Sequence, residues 1–186
     1  MVYPIVAYGF PVLKEVAEDV DLKDSKLTEL IESMFETMYN ANGVGLAAPQ
    51  IGLSKRIFVI DSSLILDEDS EEEGVKQAFI NAYKIEEQGE LWSYTEGCLS
   101  IPNISEDVIR PSEITLRYVD ENFKEHEKTF TGLAARVIQH EYDHIEGKLF
   151  TEYLKPLKRR MLKRKLAKIT KGDVTGIKYR MKFPSK

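Results

Sequence analysis

The run Gln139-His140-Glu141-Tyr142-Asp143-His144 contains the pattern HExxH. Residues four apart lie one above the other on a helix, so the imidazoles of His140 and His144 can bind the same metal ion. Glu141 can then reach a water molecule that the metal activates and move its proton. This run therefore predicts a metal-binding helix in the interior of the fold.

The surrounding residues favour the same interpretation. The pattern predicts a helix over 131–146, with Thr131 as its N-cap and Gly147 at its end. Leu133 and Val137 share one stripe of this helix with the two histidines, so the imidazoles point inward. The alternative is an exposed helix that carries two histidines by chance, but buried imidazoles without a ligand need hydrogen-bond partners.

A third metal ligand is available in Glu96-to-Pro102 (EGCLSIP), which holds Cys98, the single cysteine of the chain. Two histidines and one cysteine leave a fourth position open, as in catalytic metal sites. A lone cysteine is more often a small buried hydrophobic residue, so Cys98 alone is a weak signal. His126 stands between two glutamates on a polar segment and is interpreted as solvated, not as a ligand.

The remaining elements are predicted from hydrophobic periodicity and turn residues. An amphipathic helix over 25–41 ends at Asn42-Gly43, and the glycines of Gly43-Val44-Gly45 let the backbone approach a ligand closely. The acidic run 67–73 is interpreted as a solvated loop without chemistry. Further predicted elements are strands at 56–60, 78–80, 85–92, 114–119, 125–130 and 177–183, and a helix over 154–169.

Composition indicates an ordinary globular protein, with 42% hydrophobic and 31% charged residues. Its length of 186 residues is most simply one domain, 1–186. No run of eighteen or more apolar residues is present, and residues 1–6 lack the pattern of a secretory signal. A single cysteine fits a reducing compartment. These features together predict a cytoplasmic protein without a membrane partner.

Charge is distributed unevenly along the chain. Residues 1–154 hold 13 basic and 30 acidic residues, whereas 155–186 hold 13 basic residues and one acidic residue, Asp173. The basic C-terminal helix and strand can be a solvated face that discourages aggregation. They can also bind a nucleic acid such as RNA, which the sequence leaves open.

Taken together, three motifs resemble those of the peptide deformylase family. The family patterns GxGLAAxQ, EGCLS and QHExDH stand here at 43–50, 96–100 and 139–144, in the family's order. The similarity extends from 8–13 to 147–150 and covers nearly the whole chain to about residue 157. Phe10 replaces a frequent Asp and Ala82 a frequent Pro, two departures that affect local loops only.

The resemblance implies an α+β fold, with antiparallel β-sheets packed around a central HExxH-bearing helix and further N- and C-terminal helices. It implies a metal-dependent hydrolase that removes the formyl group from the N-terminal formyl-methionine of nascent polypeptides and releases formate. One divalent ion per chain is expected, with Fe²⁺ in the cell and Zn²⁺, Ni²⁺ or Co²⁺ able to substitute. The expected partners are N-formyl-Met nascent peptides and, through residues 155–186, the ribosome, with neither membrane nor DNA.

Residue roles follow from the resemblance position by position. The metal ligands would be Cys98, His140 and His144. Catalysis would use Glu141 as general acid and base, with Gln50 and the backbone N–H of Leu99 as the oxyanion hole. Gly45 and Gly97 would bind the substrate through their backbones, and Val44 would line the methionine pocket.

Two rival functions remain open at this point. A zinc peptidase also uses HExxH, but such enzymes commonly take a third ligand downstream of the helix, and no histidine follows His144. A nucleic-acid-binding or ribosome-binding module would depend on 155–182 and show RNA affinity that is sensitive to salt and independent of metal.

Overall fold

The computed structural model describes residues 1–184, which form an α+β fold. The strands are β1 (Ile5–Val6), β2 (Gly45–Ala47), β3 (Ile57–Asp61), β4 (Lys76–Cys98), β5 (Ile101–Val119), β6 (Glu125–Thr131) and β7 (Met181–Lys182). The α-helices are α1 (Leu27–Asn40), α2 (Gly132–Ile145) and α3 (Pro156–Thr170).

The main sheet is antiparallel and has the strand order β2-β3-β4-β5-β6. A second, smaller sheet pairs β1 with β7 in parallel. Helix α2, which carries the HExxH run, packs against β2, β3, β5 and β6. The predicted α+β class is therefore confirmed, with the main sheet antiparallel as expected.

Strand β3 shows how the sequence divides the core into two layers. Successive side chains of a strand point to opposite faces. Ile57 and Val59 accordingly pack with α1, whereas Phe58 and Ile60 pack with α2. Because β3 is buried on both faces, it lies between α1 and α2, and its apolar residues pack against both helices.

Strands β4 and β5 form one long hairpin, where the sequence predicted several separate strands. The hydrophobic alternation is interrupted because Asn81 and Gly89 have φ angles of 49° and 90°, and the pairing register shifts near both residues. The hairpin turns at Leu99 and Ser100. Cys98 therefore lies at the end of β4, beside a two-residue turn.

Helix positions agree with prediction to within a few residues, but one predicted cap is wrong. The Thr131 side chain makes no capping hydrogen bond to α2. Instead, Glu72 of the acidic run accepts a hydrogen bond from the backbone N–H of Leu133 at 2.9 Å. A carboxylate at a helix N-terminus satisfies a free donor and complements the helix dipole. Periodicity cannot reveal a cap that comes from so distant a segment.

The chain after α3 also differs from prediction. A strand was predicted over 177–183, but the observed strand covers only Met181–Lys182. Residues 176–179 instead run along a cavity beside α2. Within residues 1–184, no helix combines the length and apolar character that crossing a membrane requires.

Candidate active site

Three predicted ligands converge although they are distant along the chain. The end of β4 supplies Cys98, and successive turns of α2 supply His140 and His144. Their candidate ligand atoms all lie within 4.8 Å of one another, and Cys98 Sγ is 3.3 Å from Nε2 of His144. One hairpin end and one helix face therefore build a compact set of donors.

This donor set suits a transition metal. One thiolate sulfur and two imidazole nitrogens are typical ligands of iron, zinc, nickel and cobalt. Burial and the charge of His140 hold the pKa of the His144 ring well below its ordinary value, so this ring stays neutral and able to bind a metal. Three protein ligands also leave a position for water or substrate.

The orientation of His140 is set by Glu96, a buried residue at the end of β4. The Nδ1 atom of His140 lies 2.9 Å from Oε2 of Glu96, which directs Nε2 towards the cluster. Burial by itself raises the pKa of the Glu96 carboxyl, but hydrogen bonds from His140 and Arg110 lower it to about 2. Glu96 is therefore ionised and holds the ring in one tautomer.

Sequence reasoning missed the buried arginines that surround this carboxylate. Arg110 donates to Glu96 through Nε at 2.7 Å and Nη2 at 3.0 Å, and its Nη1 donates to Asp143 at 2.7 Å. Arg136 adds a longer contact of 3.4 Å to Glu96. One sequence signal could have revealed Arg110. It stands an even number of residues after Ile104 and Val108 on β5, so its side chain points to the same buried face as theirs.

Glu141 is buried and points into the site. Its Oε2 atom has no hydrogen-bond partner within residues 1–184. Burial raises the pKa of this carboxyl to about 7, although the neighbouring His140 lowers it. A carboxyl group with a pKa near neutrality can both accept and return a proton.

Gly45 lies directly against Glu141. A Cβ atom at Gly45 would come within 2.7 Å of Cγ and 2.8 Å of Cδ of Glu141. These separations are shorter than van der Waals contact, so a larger residue would displace the carboxylate. The glycine in this position keeps both the backbone and the carboxylate at the cavity.

Gln50 is fully buried and its amide has a defined orientation. The backbone N–H of Ala47 donates to Oε1 of Gln50 at 2.8 Å, so Oε1 faces away from the site. The Nε2 group consequently faces Cys98, at 3.4 Å from Sγ. A donor held in this way can bind an oxygen that gains negative charge beside the cluster.

A cavity of about 500 Å³ is lined by Gly45, Gln50, Glu96, Cys98, Arg136, His140 and Glu141, whereas His144 and Arg110 lie outside its lining. Val44, Gly97 and Leu99 line it, as the sequence-based assignments require, and Tyr94 and Val137 add apolar surface. His126 lies elsewhere, with Nε2 at 2.7 Å from Asp120; its side chain remains partly exposed, and it is outside the cluster.

Comparison with known proteins gives one consistent family. The model of the polypeptide deformylase family matches residues 2–160. The peptide deformylase of Christiangramia forsetii is 54% identical over 192 residues, covering 100% of this chain and 97% of the relative. That of Cytophaga hutchinsonii is 54% identical over 186 residues and covers 100% of both chains.

Solved structures agree with the sequence relatives. The crystal structure of a peptide deformylase from Legionella pneumophila matches with a TM-score of 0.80 and 39% identity, covering 93% of this chain and 98% of that one. The peptide deformylase of Ehrlichia chaffeensis matches with a TM-score of 0.82 and 32% identity, over 94% and 100% of the two chains. The chain therefore belongs to the polypeptide deformylase family, metal-dependent hydrolases that remove the formyl group from the N-terminal formyl-methionine of nascent polypeptides and release formate.

Proposed function

We propose that deformylation takes place in the cavity at the end of β4, with Cys98, His140 and His144 as the metal ligands. The observation that carries the proposal is the approach of these three side chains from a hairpin and a helix, with their donor atoms within 4.8 Å. A bound divalent ion would polarise the formyl carbonyl and make water a better nucleophile at neutral pH.

Glu141 is the proposed general base and acid. Its carboxylate accepts a proton from the attacking water and delivers it to the departing amine. The pKa of about 7 supports both transfers near neutral pH. The unpartnered Oε2 atom supports this role as well, because it leaves one carboxylate oxygen available to the reacting groups.

Gln50 and the backbone N–H of Leu99 are proposed to stabilise the oxyanion that develops on the formyl oxygen. The hydrogen bond from Ala47 to Gln50 presets the donor, so no reorganisation is needed during the reaction. Loss of one such donor typically reduces the rate about a hundredfold or more. We expect Gln50→Ala to lower kcat by that order, with a much smaller effect on KM.

The substrate peptide is proposed to lie extended, with backbone hydrogen bonds to Gly45 and Gly97. Both residues line the cavity, one on β2 and one on β4. The methionine side chain would occupy the apolar region around Val44, which the neighbouring Val137 extends. A formyl carbon carries only hydrogen, so a narrow reaction centre admits it and excludes an acetyl group.

The cellular setting is proposed from the family and the composition. Fe²⁺ is the proposed ion in the cell, with Zn²⁺, Ni²⁺ or Co²⁺ as substitutes, since sulfur and imidazole ligands suit all four. The chain is proposed to act in the cytoplasm as a single domain, 1–186. The basic segment 155–186 is proposed to approach ribosomal RNA, which its charge supports.

The direct test is hydrolysis of formyl-Met-Ala by protein purified and metal-loaded without oxygen. We expect formate release, no hydrolysis of acetyl-Met-Ala, and about one metal ion per chain. Glu141→Gln should keep its metal and lose nearly all activity, since the amide cannot accept the proton. Normal turnover by this variant would remove Glu141 from its proposed role, and cleavage of internal peptide bonds would favour a peptidase instead.

A further inference from the structure

The segment that follows α3 forms part of the cavity wall. The family model ends at residue 160, so this segment lies outside the family match. Residues 176–179 nevertheless line the same cavity as Cys98, His140 and Glu141. The cavity of this chain is therefore bounded in part by residues that the shared family pattern does not describe.

Three sets of hydrogen bonds hold the segment in place. On its C-terminal side, Ile5 N–H donates to Arg180 O and Ala7 N–H to Lys182 O, both at 2.9 Å. On its N-terminal side, the Asn103 amide donates to the Thr175 carbonyl at 3.0 Å. These anchors at both ends make 176–179 a fixed part of the wall.

The third anchor reaches the reaction centre itself. The hydroxyl of Tyr179 donates to the backbone carbonyl of Leu99 at 2.8 Å. Leu99 is the residue that follows Cys98 in the hairpin turn. The residue next to Lys178 is therefore tied to the turn that follows the metal ligand Cys98 and carries the proposed oxyanion donor.

Lys178 differs from the other charged residues of the cavity. Glu96, Arg136 and Glu141 are buried, and the first two are hydrogen-bonded to each other. Lys178 is exposed, and within residues 1–184 its ammonium group makes no ion pair. A substrate that extends from the buried centre to the solvent therefore meets this one positive charge at the cavity rim.

We propose that Lys178 is a specificity-determining residue, which favours substrates with Asp or Glu among the residues that follow formyl-methionine. The proposal rests on the proposed function, because it places the formyl group at Glu141 and the rest of the peptide towards the rim. An exposed ion pair is weak, so the preference is modest, about two- to fivefold in kcat/KM, and it falls as salt is added.

The test compares formyl-Met-Asp-Ala with formyl-Met-Lys-Ala, and formyl-Met-Ala-Asp with formyl-Met-Ala-Lys. At low salt, the wild-type enzyme should favour the acidic peptide of at least one pair by about two- to fivefold in kcat/KM. Lys178→Glu should abolish or reverse that ratio, and Lys178→Gln should reduce it. For each variant, both values of a pair are expressed relative to its own kcat/KM for the neutral peptide formyl-Met-Ala-Ser.

Arg180→Glu is the matched control. It introduces the same charge change two residues along the same segment, at an exposed position outside the cavity lining. The control should keep the wild-type ratio. An unchanged ratio in Lys178→Glu would overturn the proposal. An equal effect of both substitutions would overturn it too, because it would indicate only the overall electrostatic field of the protein.

Failure of the proposed deformylase function would give a different result from failure of the Lys178 proposal. Wild-type protein loaded with metal would then hydrolyse none of the formyl peptides. In that case the dissociation constants of the same peptide pairs decide the role of Lys178. Equal affinities for acidic and basic peptides, or a ratio that Lys178→Glu leaves unchanged, would reject it.

Discussion

The Nδ1 atom of His140 lies 2.9 Å from Oε2 of Glu96, and Glu96 is itself held by the guanidinium of Arg110. A carboxylate in this position fixes the tautomer of a histidine and raises its basicity towards a metal. The orientation of the candidate metal site thus depends on a residue two positions before Cys98 in sequence.

We expect Glu96→Gln to weaken metal binding by about ten- to a hundredfold, since the amide is a poorer acceptor and carries no charge. Competition with a chelator measures the change. Glu106→Gln is the control, because Glu106 lies opposite Glu96 on β5 but pairs with the exposed Lys158. Equal metal affinity in the two variants would contradict the orienting role.

Arg110→Met should reduce the free energy of unfolding by about 3–5 kcal/mol, because it removes the buried guanidinium that pairs with two buried carboxylates, Glu96 and Asp143. Urea denaturation of the metal-free protein measures this loss without a contribution from metal binding. Arg117→Met on the same strand is the control. Arg117 is exposed, so a change within about 0.5 kcal/mol is expected there.

Gly45→Ala should lower kcat about a hundredfold, because the new methyl group displaces the Glu141 carboxylate and a misplaced catalytic group costs about that factor. Gly43→Ala is a useful comparison. Its Cβ would meet the tip of the Leu99 side chain at 2.8 Å, and a leucine can rotate away. Steady-state kinetics should show the larger loss at Gly45, and equal losses would argue against the displacement.

Tyr39 should make the stability of the protein depend on pH in the alkaline range. Burial and the 2.7 Å hydrogen bond to Asp61 raise the pKa of Tyr39 from 10.0 to about 12. The unfolded chain loses this proton first, so the contribution to stability is complete below pH 10 and is lost as pH rises to about 12. Tyr39→Phe should flatten the fall in the free energy of unfolding between these values, and an identical slope would contradict the assignment.

The sequence was sufficient to predict the helices and strands that depend on the spacing of neighbouring residues. Helix α2 was predicted because the spacing of Leu133, Val137 and the two histidines follows one helical turn after another. The convergence of Cys98 on these histidines came from the joint motifs, since spacing alone cannot bring residues so far apart together. The structure places the three side chains in one cluster.

Features that depend on tertiary contacts could not be predicted from the sequence. The pairing of Arg110 with Glu96 and Asp143 joins two strands and a helix, and local sequence carries no record of such partners. The cap that Glu72 provides for α2 comes from an acidic run with no periodicity. The strand predicted over 177–183 is shorter because its partner β1 has only two residues, which pair with Met181 and Lys182.

The pairing of β1 with β7 has a consequence for the synthesis of this enzyme. Ile5 emerges early from the ribosome, whereas its partner Met181 emerges after all the other described elements. Contacts between such distant positions form late, because the intervening chain must first become compact. In an enzyme that acts on nascent polypeptides, the cavity wall at Lys178 is thus completed only after the strands and helices that carry the other lining residues have been synthesised.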